Sequence, residues 1–308
     1  MTELTETAEI EAFLDRIAGI DEPGAAGSQR FKEILRKIVS DLFDTIDRFD
    51  VSEDEFWHAL NFLAAGAPEF GLWAAGLGFE RFLDIRMDAK DRAAGVPEGT
   101  PRTIEGPLYV AGAPIVESGA RIDDGSDVGE TLVMHGHVRD TDGQALADAI
   151  VDVWHANTRG NYSYFDKSQS DYNMRRRVRT DANGRYEFRS IVPHGYGVPD
   201  GGSTEQLLKA VGRHGNRPAH IHFFVTAPGH RQLTTQINID GDPYLHDDFA
   251  YATRDDLIPP VTRNADPTDI HAAGLHAPYA DIAFDFTLAP AATPEDEEFS
   301  TRTRALAD

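Results

Sequence analysis

Up to about residue 90, apolar positions recur at helical spacing. Ile10, Phe13, Leu14 and Ile17 stand at i, i+3, i+4 and i+7, and Phe31, Leu35, Ile38, Leu42 and Ile46 form a second stripe behind Ser28, a predicted N-cap. Ser52 and Glu55 have capping-box spacing with Val51 and Phe56 at the flanking staple positions, so a third helix is predicted to start there. A fourth apolar segment covers 72–87, and 88–107 then mixes Gly, Pro and charge without a sustained period, as a linker does. Each stripe requires a partner that covers it.

Beyond residue 130 the period shortens to two. Segments 132–139 and 149–154 flank Asp140-Thr141-Asp142-Gly143, and 178–180 and 185–188 flank Asp181-Ala182-Asn183-Gly184; both arrangements predict β-hairpins. Further strands are predicted at 219–225, 233–239 and 280–288, the last alternating Ile282, Phe284, Phe286, Leu288. Short strands with no helices between them favour an antiparallel β-sandwich over βαβ units, so the fold class expected is α+β with an all-helical N-terminal region. The polar stretch 291–308 predicts a frayed tail.

Composition narrows the chemistry. The chain has 308 residues, 41% hydrophobic and 26% charged, a globular balance with room for a core. Its 52 acidic and 29 basic residues give a net charge of −23, which repels nucleic acid and anionic lipid headgroups at long range, so polyanions are not expected as partners. Without cysteine there is no disulfide, no thiolate nucleophile and no Cys-built metal site, so any metal must be held by His, Tyr or carboxylate. The most apolar window, 62–79, contains Pro68, Glu69 and glycines 66, 71, 76 and 78, which argues against a membrane span. Residues 1–10 carry no readable secretory signal, and a cytoplasmic location is expected.

Nucleotide and serine-hydrolase motifs are absent: Gly195-Tyr196-Gly197 begins like a dinucleotide loop but has Asp200 where the last Gly belongs. Two His-x-His pairs remain, His135 with His137 and His220 with His222. Residues two apart on a strand share a face, so either pair could place two imidazoles on one metal or simply stand on a polar face. Arg217 ahead of the second pair, Phe223 and Phe224 behind it, and Tyr196 in the loop 195–202 favour that pair and an anionic aromatic ligand. Tyr162 and Tyr196, each taken alone, read as ordinary half-buried tyrosines.

Gly160-Asn161-Tyr162-Ser163, Pro193-His194-Gly195-Tyr196-Gly197 and Gly212-Arg213-His214-Gly215-Asn216-Arg217-Pro218-Ala219-His220-Ile221-His222-Phe223-Phe224 together resemble the intradiol ring-cleavage dioxygenases. Thr100-Pro101-Arg102-Thr103-Ile104-Glu105-Gly106-Pro107-Leu108-Tyr109-Val110, Thr234-Thr235-Gln236-Ile237-Asn238-Ile239 and Asp247-Asp248-Phe249-Ala250 extend the likeness over about 70–260. It implies a helical dimerisation region and linker over 1–107, a β-sandwich catalytic domain over 108–290 and a polar tail over 291–308. It also implies a mononuclear Fe(III), one per subunit, held by Tyr162, Tyr196, His220, His222 and a hydroxide, while His135 and His137 match no ligand. Two anionic phenolates and two neutral imidazoles are a donor set suited to ferric iron.

The implied reaction cleaves catechol, or a substituted catechol, with O2 between the hydroxylated carbons to give cis,cis-muconate. Tyr196 is implied to leave the metal and accept a substrate proton, Arg217 to stabilise charge on the activated substrate, and Gln236 to support that side of the pocket. A salt bridge to a carboxylate is the alternative for Arg217. Leu72, Ala75, Ile104, Pro107, Leu108, Phe249 and Ala250 match the apolar pocket of catechol-type members. Ala75 stands where many relatives carry Pro and hydroxyquinol types an acid, so methylcatechols and chlorocatechols are also admitted. The resemblance further implies a homodimer joined through the N-terminal helices, with a phospholipid able to occupy an apolar tunnel between subunits. The rivals, a non-enzymatic β-sandwich binding module and a His-based zinc hydrolase, predict colourless protein, whereas phenolate-bound ferric iron predicts a wine-red one.

Overall fold

The computed structural model of the chain describes residues 7–20, 27–291 and 304–306. It divides into two compact units, 1–67 and 68–308. The first holds α1 (Ala8–Ile17), α2 (Gln29–Arg48) and α3 (Glu53–Gly66). Each starts where a side-chain oxygen can take an unpaired amide: Thr7 accepts from Ile10 N, Ser28 from Phe31 N, and Ser52 with Glu55 closes the reciprocal box. Phe13 and Phe43 stack with centroids 6.1 Å apart, and Arg36 joins Glu11 and Asp15, so α1 and α2 pack as a pair. The stripe on α2 nevertheless stays open: Phe31, Ile38 and Leu42 are 65%, 53% and 56% exposed.

The second unit opens with α4 (Phe70–Gly76) and α5 (Phe79–Ala93) where one segment over 72–87 was expected. Gly78, at φ +76°, breaks them apart in the left-handed region that glycine enters freely. The linker expected from residue 88 begins later, because the charged residues 88–93 suit a solvated helix face, and the helix ends only before Gly95 and Pro97.

Among the described residues, fifteen strands, two short α-helices and a 3-10 turn at Asp255–Leu257 follow. β1 (Val110–Ala111), β2 (Ile115–Glu117), β3 (Ala120–Arg121), β4 (Thr131–Asp140), β5 (Ile150–His155), β6 (Arg175–Arg179), β7 (Arg185–Ile191) and β8 (Tyr196–Gly197) precede α6 (Ser203–Ala210). After it come β9 (Asn216–Arg217), β10 (His220–Thr226), β11 (Leu233–Asn238), β12 (Thr262–Asn264), α7 (Pro267–Ala272), β13 (Tyr279–Ala283), β14 (Phe286–Leu288) and β15 (Ala305–Leu306). One sheet has the order β11-β10-β5-β6-β2 and another β12-β13-β4-β7-β3, with β14 also on β4. The molecule is thus α+β, with a helical N-terminal part and a sheet-rich remainder.

Two expectations are corrected. The sheets are mixed, not antiparallel throughout, since β2 runs parallel to β6, β3 to β7, and β13 and β14 to β4. Neither predicted hairpin forms: the turn at 140–143 carries the chain from β4 in one sheet to β5 in the other, and the turn at 181–184 carries it from β6 back to β7. Turn residues mark where the chain reverses, but burial selects the partner. Met134 and Phe188 from one sheet and Val153, Val178 and Phe223 from the other are fully buried in a single core.

The strand predicted over 280–288 is interrupted at Phe284 and Asp285, where the chain passes so close to Gly136 that any side chain there would collide with the Phe284 carbonyl. The tail expected to fray is partly fixed, because Ala305 and Leu306 pair in parallel with Val110 and Ala111. Residues 292–303 and 307–308 of that tail, and 1–6 at the other end, lie outside the described residues. No described helix is long and apolar enough to cross a membrane.

Candidate metal centre

Strand β10 is buried on both faces. Ile221, Phe223 and Val225 enter the core shared by the two sheets, so by alternation His220, His222 and Phe224 face the other way, where Phe224 meets Tyr109, Trp154 and Tyr162. His220 Nδ1 donates to the Pro218 carbonyl at 2.6 Å, which leaves Nε2 with its lone pair. That nitrogen is 3.1 Å from His222 Nε2 and 3.3 Å from Tyr162 Oη. Two donors each about 2.1 Å from a shared ion at a right angle would be about 3 Å apart, so the three atoms fit a common metal.

Tyr162 comes from the loop after β5, and Gly160 lets that loop lie against Tyr196. A Cβ at residue 160, where φ is +77°, would sit 2.7 Å from Tyr196 Cβ and 2.8 Å from the Gly195 carbonyl. The Tyr162 and Tyr196 rings meet edge to face at 5.5 Å, and pairing of β8 with β9 sets Tyr196 opposite Arg217. Among the described residues no group of three His, Asp or Glu side chains could hold a metal, so an ion at this His pair must draw on the phenols.

The electrostatics agree with that donor set. Burial, reinforced by Arg217, pushes His220 down to about 3, and burial with His220 holds His222 well below the usual imidazole range, so both rings are neutral and able to ligate. Burial, with Tyr196 adjoining, drives Tyr162 well above the usual phenol range. A multivalent cation is what would reverse that and make the oxygen a phenolate. Arg217 is itself buried, which opposes its charge, yet Asp248 together with Tyr196 and Tyr162 more than offsets this and keeps the guanidinium firmly cationic. Its Nε and Nη2 donate to Asp248 at 3.2 and 3.1 Å, and Nη2 donates to Gln236 Oε1 at 2.7 Å.

The salt bridge considered as the alternative for Arg217 therefore exists, within the same cluster as the imidazoles. Gln236 lies directly across the β10–β11 ladder from His222, and His222 across β10–β5 from Trp154. Of the pocket residues, Ala75, Ile104, Phe249 and Ala250 gather in one buried cluster, and Leu108, like Tyr196, packs against the cluster that holds Tyr162. Leu72 and Pro107 are half-buried; a Cβ on Gly71, the neighbour of Leu72, would come within 2.9 Å of Pro107. Arg213 donates to the Gly76 carbonyl at 2.7 Å and the Phe249 carbonyl at 2.9 Å, which ties the end of α4 to that wall.

A larger cavity of about 1190 Å³, lined by α5, Arg102 and Arg231, meets these pocket residues at Ile104. His135 and His137 stand on β4 in the other sheet, beside Asp281 and Asp285 at 3.3 and 3.4 Å, away from the tyrosines. Sequence reasoning did not single out Asp248 or Trp154. Asp248 was readable as the acid next to Phe249, whereas the stacking of Trp154 on His222, at 4.9 Å and 5°, has no signal in the sequence.

A family model described as "Dioxygenase" matches residues 104–290, and one described as "Catechol dioxygenase N terminus" matches 28–95. The chain is 62% identical over 256 residues to a catechol 1,2-dioxygenase 2 of Acinetobacter lwoffii, covering 82% of this chain and 92% of that protein. The structure of catechol 1,2-dioxygenase from Acinetobacter sp. ADP1 inhibited by bound mercury superposes with a TM-score of 0.95 at 47% identity, covering 99% of this chain and 100% of that one. That from Pseudomonas arvilla C-1 superposes with a TM-score of 0.94 at 51% identity, covering 99% of each.

Proposed function

The chain belongs to the intradiol ring-cleavage dioxygenase family, and from that membership we propose that it carries out the catechol 1,2-dioxygenase reaction, in which catechol and O2 give cis,cis-muconate. The observation that carries this reading to the chemistry is the approach of Tyr162 Oη and His222 Nε2 to His220 Nε2, at 3.3 and 3.1 Å. Tyr162, Tyr196, His220 and His222 are the residues that would hold a ferric iron, one per subunit. When bound, such an ion supplies a Lewis acid for the two substrate oxygens and the electronic path that makes the ring carbon reactive to O2.

The remaining work falls to the chain itself. Tyr196 Oη accepts one of the two catechol protons. Arg217, a buried cation that feels both tyrosines, stabilises negative charge on the deprotonated ring, and Gln236 and Asp248 fix the plane of its guanidinium. Ile104, Phe249, Ala250 and Ala75, with Leu72, Pro107 and Leu108, form an apolar wall that keeps water from the reacting carbon. One apolar substituent is worth about 1–3 kcal/mol against such a wall, so methylcatechols and chlorocatechols can enter it, and the wall alone sets no order among them.

The two sheets around one core are read as a β-sandwich carrying this chemistry over 108–290. Residues 1–107 serve assembly and supply part of the pocket wall, and 291–308 form the tail. The exposed stripe on α2 is assigned to a homodimer, with a phospholipid in an apolar tunnel between subunits, and the location is read as cytoplasmic. Purified, iron-loaded protein should be wine-red and consume O2 with catechol. Tyr162→Phe and His220→Ala should each lose most of the iron, the colour and the turnover, whereas Tyr196→Phe should keep part of the iron and lose turnover. Normal iron content and oxygen uptake in the first two variants would sink the assignment.

A further inference from the structure

His220 and His222 are held in different ways. The second nitrogen of His220 is anchored on the Pro218 carbonyl at 2.6 Å, but His222 Nδ1, buried, has no hydrogen-bond partner among the described residues. A ligating imidazole is ordinarily aimed by an acceptor on its other nitrogen, so the His222 ring must be aimed by what packs against it. Trp154 stacks on it at 4.9 Å, and Gly106 borders its edge, where a Cβ would meet His222 Cε1 at an ordinary contact distance of 3.9 Å. The φ of +70° at Gly106, in the left-handed region, is what calls for glycine at that place.

Both contacts lead outward to Arg304. Trp154 lies 4.8 Å from Tyr109 and 4.8 Å from Phe224, which are 4.7 Å from each other. The Arg304 guanidinium covers this group from outside, 5.8 Å from the Tyr109 ring and 5.4 Å from the Phe224 ring. The same guanidinium forks onto Glu105, the neighbour of Gly106, at 2.9 and 3.0 Å, with the two side chains only 13% and 10% exposed. Pairing of β15 with β1 delivers Arg304 to this position.

We propose that Arg304 is a positioning residue for His222, and that the segment 304–306 is a clamp holding Gly106 and the Trp154 ring group against the imidazole. The proposal rests on reading His222 as a metal ligand. In the full-length, iron-loaded protein, Arg304→Ala and Glu105→Gln should each release iron to excess chelator about tenfold faster than the unaltered chain. Because Arg304→Ala already removes the fork that Glu105→Gln weakens, the double variant should be no faster than Arg304→Ala alone. Arg304→Lys keeps the charge over the rings but not the fork, and should restore part of the retention. Turnover should fall in kcat more than it rises in KM, since the pocket wall remains.

Iron release at the unaltered rate in Arg304→Ala overturns the clamp, and so do additive effects in the double variant. Should Arg304→Ala fail to fold, the isosteric Glu105→Gln decides the matter by the same release measurement. His222→Ala tests the reading beneath: if that variant holds iron as firmly as the unaltered chain, the site assignment fails, whatever Arg304 does.

Discussion

Asp84, on α5, is 5% exposed, and burial lifts its carboxyl to about 6 even though Arg254 stands 3.5 Å away. The folded chain then binds this proton more tightly than the unfolded one, so the stability it contributes is complete below about pH 4 and is lost as the pH rises through 6. The difference is worth about 3 kcal/mol. Asp84→Asn cannot ionise; the unfolding free energy of the unaltered protein minus that of the variant should therefore fall by about 2 kcal/mol between pH 4 and pH 7 in urea titrations. A pH-independent difference would mean that the carboxylate is buried without cost. Nothing in the sequence marks Asp84, because its environment comes from a fold that brings Arg254 to it across 170 positions.

Local chemistry was the legible part of the elements. The Ser52 Oγ and Glu55 Oε2 atoms each accept the other residue's backbone amide, at 3.3 and 2.9 Å, as their spacing predicted. Ser52→Ala should accordingly lower the thermal midpoint of the helical signal by a few degrees in circular dichroism, and an unchanged midpoint would remove the box from the determinants of α3. Strand positions were also largely legible, since alternation is a property of neighbours. Their pairing was not: 140–143 and 181–184 look like hairpin turns, yet each joins strands of different sheets.

At the scale of the whole molecule, α2 presents an apolar stripe among the described residues, with Phe31 and Leu42 at 65% and 56% exposure, that calls for a partner. Light scattering at micromolar concentration should give a dimer, and deletion of residues 1–50 should give monomers or aggregates. A monomeric intact chain would refute the assembly. Each subunit carries a net charge of −23, so raising salt from low ionic strength should tighten the dimer by screening repulsion. Native mass spectrometry separates the tunnel from the dimer: a dimer without lipid-sized excess mass keeps the second and discards the first.

The sequence by itself determined the starts of α2 and α3 and the positions of most of the longer strands, because caps and alternation are fixed by residues a few positions apart, and its ordered motifs carried the resemblance that implies Tyr162, Tyr196, His220, His222 and Arg217 as site residues. Only the tertiary structure decided that β4 pairs with β7 instead of β5, that Asp248 holds Arg217, and that Arg304 reaches Glu105 from 199 positions away. Those contacts arise from the burial of whole faces against distant segments, and no local period encodes which faces meet.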